Sequence, residues 1–413
     1  MNENSISTAE NVSEKIIYAN IVGLTLSWII WNPFQSASMT YWQVFLYALG
    51  ATPFIISLIS AVSQISLSIA RFPGGYMADK IGRKRLIVSM TYVIAFTYLL
   101  MYYADTWEII FLAYLVMNIC LFYQPALNAI IADSLPQSKR ARGFAIINVL
   151  PSIVIIFAPY IALFYISKHG IVQGTKILFL LSFIFGLIAS TIRLVFLKET
   201  MTKKEEMPKN LLGDMKAEYS KAFKIIMKRM KHLLIGYSFV GIAMGLTYLM
   251  QLYALRYLFV TEEQWAYIQI ISFAFYLVMT IPLSYITDRI GRRPPTIFAA
   301  ILATIGTILL ATAPIGEGAY IIVLISNLLQ SLAWSFASST LPSIEADLLP
   351  KEIRGKGYAV INLVNSFVWS ISQLIGGYIY MSIGPRTPFY ISSIFWLFSL
   401  VAFMFIPETI RRK

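Results

Sequence analysis

Gly75-Tyr76-Met77-Ala78-Asp79-Lys80-Ile81-Gly82-Arg83-Lys84-Arg85 returns 209 residues later as Ser284-Tyr285-Ile286-Thr287-Asp288-Arg289-Ile290-Gly291-Arg292-Arg293. Each copy follows a long apolar run containing a proline, Pro73 or Pro282, and leads into another apolar run. An acid, a glycine and a basic cluster in that setting predict a short cationic hairpin between two membrane helices. Glycine reverses the chain at low steric cost, and the acid can pair with bases or with a helix N-terminus.

Composition agrees with this reading. Of the 413 residues, 58% are hydrophobic and 13% charged, and the mean hydropathy is +0.70. These values suit a polytopic membrane protein rather than a soluble domain. Unpaired backbone groups are costly in lipid, so apolar runs too long for strands are expected as helices. Cys120 is the one cysteine and His169 and His232 the two histidines, which leaves no disulfide and no zinc constellation. No metal or other cofactor is expected.

Twelve spanning helices are predicted, at 17–48, 53–77, 86–104, 107–133, 142–166, 175–197, 232–258, 264–287, 295–313, 318–346, 356–381 and 387–407; they are called spans 1 to 12 here. Residues 1–16 read as a cytoplasmic tail without the basic region of a signal peptide, and 408–413 as a second cytoplasmic tail. With both termini inside, the outer loops hold only Lys168, Lys176, Arg256 and Arg386 of 33 basic residues. This inner excess sets the orientation and accounts for the net charge of +13 without nucleic acid. Residues 198–231 form the polar link between the halves 17–197 and 232–407. Within the link Leu212, Met215, Tyr219, Phe223, Ile226 and Met230 recur at helical spacing beside several lysines. They predict a basic amphipathic helix on the inner leaflet, in contact with membrane lipids.

The internal repeat extends past the hairpins. Asp133-x-x-Pro136-x-x-x-Arg140 follows span 4 and Asp347-x-x-Pro350-x-x-x-Arg354 follows span 10; Lys198-Glu199-Thr200 and Pro407-Glu408-Thr409 close the halves. The pattern Asp-[Arg/Lys]-x-Gly-Arg-[Arg/Lys], once in each half, resembles the loop signature of the major facilitator superfamily. The resemblance covers essentially the whole chain. It implies an all-α fold of two pseudo-symmetric six-helix bundles, with a substrate site near the midplane. It also implies a conformational latch, in which the hairpin acid helps hold the cytoplasmic side closed. Placed by motif, the latch residues are Gly75, Asp79, Gly82, Arg83, Lys84 and Arg140, and in the second half Asp288, Gly291, Arg292 and Arg354. Ser284 stands where the first copy has Gly75, so tighter packing is expected of the first latch. The bland alternative is that these charges anchor loops at the lipid headgroups.

Ionisable groups inside the membrane are costly, on the order of 2.5–3.5 kcal/mol at a helix centre, and so point to function. All twenty acids fall in loops, tails or helix ends, leaving no mid-membrane carboxylate for proton coupling. Arg71 and Arg193 lie inside helices near the inner side, and snorkelling is the expectation for Arg193. Neutral polar and aromatic residues are therefore the candidates for the substrate cavity. They are Trp28, Trp31, Asn32 and Gln35 on span 1, where Pro33 predicts a kink, and Asn118, Tyr123 and Gln124 on span 4. The second half offers Tyr248 and Gln251 on span 7, Asn327, Gln330 and Trp334 on span 10, and Asn365 and Trp369 on span 11. The resemblance ranks spans 1, 4, 7 and 10 first, since they line the cavity in that family. Interhelical hydrogen bonding is the competing role for each residue. Gly241 and Gly245 on span 7 are expected to serve close packing.

No phosphate-binding Gly-x-x-x-x-Gly-Lys-[Ser/Thr] motif and no catalytic nucleophile–base pair occurs, so neither a nucleotide motor nor an enzyme is expected. Pro151 and Pro159 of span 5 lack the glycine-rich surroundings found in drug–proton antiporters of the family. The expectation is a monomeric transporter in the plasma membrane, carrying a small neutral or amphipathic organic solute by alternating access. A proton or other ion is an optional coupling partner. The alternatives are a proton-coupled sugar or metabolite symporter of the same fold, and a non-transporting membrane sensor.

Overall fold

The computed structural model describes residues 3–135, 140–201, 220–221, 223–350 and 354–409, with the side chains of 3–18, 72–76, 78–79, 140–146 and 148 left outside the description. The chain is helical, without strands among the described residues. The helices are α1 (Glu3–Met39), α2 (Trp42–Ala48), α3 (Pro53–Ile81), α4 (Arg83–Tyr103), α5 (Trp107–Cys120), α6 (Gln124–Asp133), α7 (Arg140–Ile155) and α8 (Ala158–Phe196). They continue as α9 (Lys231–Leu246), α10 (Glu262–Ile290), α11 (Arg293–Ala311), α12 (Ala319–Leu348), α13 (Arg354–Ser382) and α14 (Thr387–Met404). Among the described residues, 10 stretches are long and apolar enough to cross a membrane. One of them, 149–196, runs for 48 residues. At 1.5 Å per residue that is about 72 Å, enough for two crossings of a ~30 Å core. Gly170 breaks it with φ 74° and ψ 169°. With the 37-residue α1 added, the arrangement fits twelve crossings.

Two compact units make up the chain: residues 1–45 with 66–208, and residues 46–65 with 209–413. The outer part of α3 thus groups with the second unit, whereas the sequence reading places all of 17–197 in the first half. The reason lies at Gly377 of α13. A Cβ there would stand 2.5 Å from the Ser57 hydroxyl and 3.1 Å from the Pro53 carbonyl. Only a residue without a side chain lets these backbones approach so closely.

In the first unit α1 packs along α8 and α7, and α4 packs on α8 and α5. Trp31 and Phe34 of α1 fix the α1–α8 contact. The Phe34 and Phe185 rings stack at 4.0 Å, and Gly186 clears the space that Trp31 fills, since a Cβ would meet its indole at 3.0 Å. In the second unit α9 packs on α13 and α14, α10 on α12, and α11 on α12 and α14. Its core includes Leu233, Tyr237, Ile344, Ile361 and Phe403. Ile226 and Met230 belong to the same core and are 0% and 2% exposed. The end of the link is therefore packed on protein, while Leu212, Met215 and Tyr219 of the expected amphipathic helix lie outside the described residues. Outward-facing Val278, Ile281 and Tyr285 are more than 60% exposed, as suits surface turned to lipid.

Candidate functional site

Within each unit the repeated charged motifs meet in space. Both hairpins are shorter than the sequence suggests, because α3 runs on to Ile81 and α10 to Ile290. The reversal is left to one glycine in each case, Gly82 at φ 102° and Gly291 at φ 95°. That left-handed region is one that L side chains rarely adopt. In the first unit Arg83 pairs with Asp133 and also donates to the Thr200 hydroxyl at 3.2 Å. The Glu199 carboxylate accepts from the Lys84 backbone N–H at 3.0 Å. In the second unit Arg292 pairs with Asp347 and donates to the Ser343 carbonyl at 2.7 Å. Glu408 accepts from the N–H groups of Arg292 and Arg293 at 2.9 and 3.1 Å. These N–H groups open α4 and α11, so each carboxylate sits at a helix N-terminus, where partial positive charge favours it.

Each half thus gathers its three repeated motifs into one charged knot. The sequence reading names Arg83, Lys84 and Arg292 but misses Asp133, Glu199, Asp347 and Glu408 as their partners. The signal was present: Lys84 to Glu199 and Arg293 to Glu408 span the same 115 residues. Asp288 is exposed and, among the described residues, joins no ion pair; Asp347 in the last turn of α12 pairs with the hairpin arginine instead. Arg354 donates to the Ala346 carbonyl at 2.5 Å, closing the loop after α12 rather than meeting the hairpin acid. The side chains of Asp79 and Arg140, and the surroundings of Gly75, lie outside the described residues.

Two arginines of the first unit converge on α5–α6, where the helix tightens to a 3-10 turn at Leu121–Tyr123 just before Pro125. Arg71 donates to the Gln124 side-chain oxygen at 2.6 Å. Arg193 is 1% exposed, which overturns the snorkelling expectation. Its guanidinium donates to Ser27, Thr91 and Tyr123 hydroxyls at 3.0, 2.8 and 3.4 Å. It also lies 5.8 Å from the Trp28 ring and 6.0 Å from that of Trp31. Hydroxyls and ring faces take the place of a carboxylate.

The remaining first-unit candidates are spoken for to different degrees. Trp31 is 3% exposed and its indole N–H donates to the Ser182 carbonyl at 2.9 Å. It packs α1 on α8, the interhelical role that the sequence reading sets beside cavity lining for each of these residues. Asn118 is buried and donates to Tyr114 O at 2.8 Å within its own helix, so it serves the helix. Asn32, Gln35 and Trp28 are half-buried.

The second unit contains a cavity of about 520 Å³. Five sequence candidates line it: Tyr248, Asn327, Gln330, Trp334 and Trp369. Gln251 and Asn365 stand outside its lining; Gln251 is 8% exposed, and Asn365 faces Gly241 at 3.6 Å. Gln269, Ser272, Phe273 and Tyr276 of α10 and Trp396 of α14 also line it and were missed. Their faces become a wall only once α10 is docked on α12 and α14 on α9 and α11. No charged side chain is in the lining.

Local packing explains the placement. Gly306 of α11 would bring a Cβ within 3.1 Å of the Ser326 carbonyl, and the Ser326 hydroxyl donates to Gly306 O at 2.7 Å. This close seam carries Gln330 against α11, where its amide donates to Ala303 O and the Thr307 hydroxyl at 3.2 and 2.9 Å. Asn327 donates to Val323 O at 2.8 Å. Gly245 of α9 would clash with the Trp369 carbonyl at 2.6 Å if it bore a Cβ, so it does serve close packing and sets Trp369 at the wall. Gly241 makes only an ordinary contact, 3.4 Å from Val368.

The arrangement is that of a multi-pass membrane transporter, and comparison with known proteins names the class. The family model described as Major Facilitator Superfamily matches residues 21–271 and 233–413. The chain belongs to this superfamily, whose members are transporters and not enzymes. A Na(+), Li(+), K(+)/H(+) antiporter of Planococcus maritimus is 33% identical over 131 residues, covering 29% of this chain and 31% of that one. The proton myo-inositol cotransporter hmit-1.1 of Caenorhabditis elegans is 31% identical over 129 residues, 30% of this chain and 21% of the relative. These alignments span about a third or less of the relatives' own length. Among solved structures, the nucleoside transporter NupG aligns at TM-score 0.72 and 16% identity, covering 93% of this chain and 98% of that one. A POT family transporter in complex with 5-aminolevulinic acid aligns at 0.75 and 14%, covering 95% and 96%. At such identities the likeness is one of fold.

Proposed function

We propose that the protein is a secondary transporter of the plasma membrane, both termini cytoplasmic, moving a small neutral or amphipathic organic solute by alternating access as a monomer. The observation that carries this reading is the second-unit cavity, walled by indoles, phenol rings and carboxamides without a charged side chain. A volume of about 520 Å³ suits an organic molecule of tens of atoms and is far larger than a bare ion needs. The charged knots are the natural latch. Arg83 with Asp133, and Arg292 with Asp347, tie a hairpin to the end of the following helix pair. The related antiporter and inositol cotransporter use protons, by their names, so a proton or ion is an admissible coupling partner. Glu345 on α12, half-buried and hydrogen-bonded by the Tyr237 hydroxyl, is the carboxylate best placed to serve.

The test is a thermal-stability screen of the purified chain against sugars, organic acids, amino acids and lipophilic compounds at two pH values. Each hit is then followed as flux into proteoliposomes. A ligand that binds only the folded state at a hundredfold excess over its Kd stabilises by about 2.7 kcal/mol. A hit that crosses the bilayer only when the protein is present supports the reading. Binding without flux, in any class, rejects transport and favours a sensor.

A further inference from the structure

Two carboxamides of the second-unit cavity are oriented by bonds to backbone carbonyls. Gln330 turns both amide hydrogens toward Ala303 O and the Thr307 hydroxyl. Asn327 turns its own toward Val323 O. A backbone carbonyl can only accept, so it fixes which end of each amide faces it, and the side-chain oxygens are the ends left over. Thr307 gives its hydrogen to Ala303 O at 2.8 Å. The Trp369 indole N–H, a donor at the same wall, is closed off from the open space. The rest of the wall is largely aromatic, with Trp334 and Trp396 beside Trp369, and ring faces are the negative end of an aromatic quadrupole.

We infer that this cavity takes an amphipathic organic amine: a protonated ammonium held over the indole faces, with the Asn327 and Gln330 side-chain oxygens accepting its N–H groups. An ammonium donates and never accepts, so the two amide oxygens match two of its N–H groups. A polyol needs donors as well as acceptors, and Gln330 spends both of its amide hydrogens on the protein. A carboxylate or phosphate would meet carbonyl oxygens and ring faces, which repel it. Ring faces hold a desolvated cation by cation–π attraction even where no acid is present. The inference rests on the proposal that this cavity is the substrate site, and it narrows the substrate class of that site.

The experiment compares 2-phenylethylamine with its uncharged isostere 2-phenylethanol, and both with myo-inositol, on the purified full chain. Binding is read by quenching of tryptophan fluorescence and by thermal shift. The expected result is amine binding at least about tenfold tighter than the alcohol. Asn327→Leu, which removes the oxygen, should lower amine affinity about tenfold. Asn327→Asp should raise it about tenfold while leaving the alcohol unchanged, a gain that a folding defect cannot produce. Equal binding of amine and alcohol, tighter binding of inositol, or an amine affinity unmoved by Asn327→Asp would each overturn the inference. If a neutral solute binds and is carried while amines are not, the amine reading falls and the transport reading stands. If amines bind as expected but no ligand crosses the bilayer, transport falls and the amine site stands.

Discussion

Replacing Gly291 by alanine tests the second charged knot at its tightest point. Gly291 has φ 95°, and forcing an L residue into that region costs about 1–2 kcal/mol. Its Cβ would also lie 2.7 Å from Glu408 Oε2 and 2.9 Å from the carboxyl carbon, so the carboxylate must move. Moving it breaks the bonds from the Arg292 and Arg293 N–H groups, worth about 1 kcal/mol each at an exposed site. Gly291→Ala should therefore destabilise the chain by about 3–4 kcal/mol. Glu408→Ala alone should cost about 2 kcal/mol by the same bonds. In the Glu408→Ala background the glycine substitution should cost only the backbone part, about 1–2 kcal/mol. The assay is a double-mutant cycle on the midpoint of thermal unfolding in detergent, with denaturant titration for the free energies. Gly82→Ala serves as internal comparison. Its Cβ would stand 3.0 Å from Glu199 Oε2, and that carboxylate holds the one helix-start N–H of Lys84, so the loss should be smaller. If Gly291→Ala costs the same with and without Glu408, the carboxylate does not couple to the turn and the reasoning is refuted.

Trp31→Ala should cost about 3–5 kcal/mol, because it empties the space beside Gly186 and removes the indole bond to the Ser182 carbonyl; an effect on ligand affinity at normal stability would assign Trp31 to the cavity. Arg193→Met should change stability by less than about 1 kcal/mol, since an isosteric apolar chain replaces a buried charge. Two of its three hydroxyl partners already donate within their own helices, Ser27 to Leu24 O and Thr91 to Ile87 O; a loss above about 3 kcal/mol would show the charge itself holding the unit together. Asp347→Asn should cost under about 1 kcal/mol, as its carboxylate is 39% exposed. The same change should shift inner-side cysteine labelling if the knot is a latch, and unchanged labelling would leave it a loop anchor. Trp334→Ala should weaken binding of the transported solute about tenfold or more with little change in stability, because the side chain is 41% exposed; a thermal midpoint that falls while affinity holds would assign it to packing.

Composition, apolar run length and the duplicated acid–glycine–base stretch decide the all-helical membrane fold and the family, because bilayer thickness and backbone hydrogen bonding admit few solutions to such a sequence. They also single out five residues of the cavity wall, since polar and aromatic groups at membrane depth are rare enough to stand out. Other assignments wait for the tertiary structure. Arg193 reads as a snorkelling residue in one dimension and is a buried hub in three, because α1, α4 and the turn at Tyr123 bring hydroxyls and indoles around it. Asp133 and Glu199 are separate motifs until folding carries both to the start of α4. Gln269, Tyr276 and Trp396 look like ordinary helix residues until α10 docks on α12 and α14 on α9 and α11. Which end of each cavity amide faces the ligand depends on carbonyls of α11 and α12. A sequence records which groups are present, and only packing decides which of their dipoles are already spent.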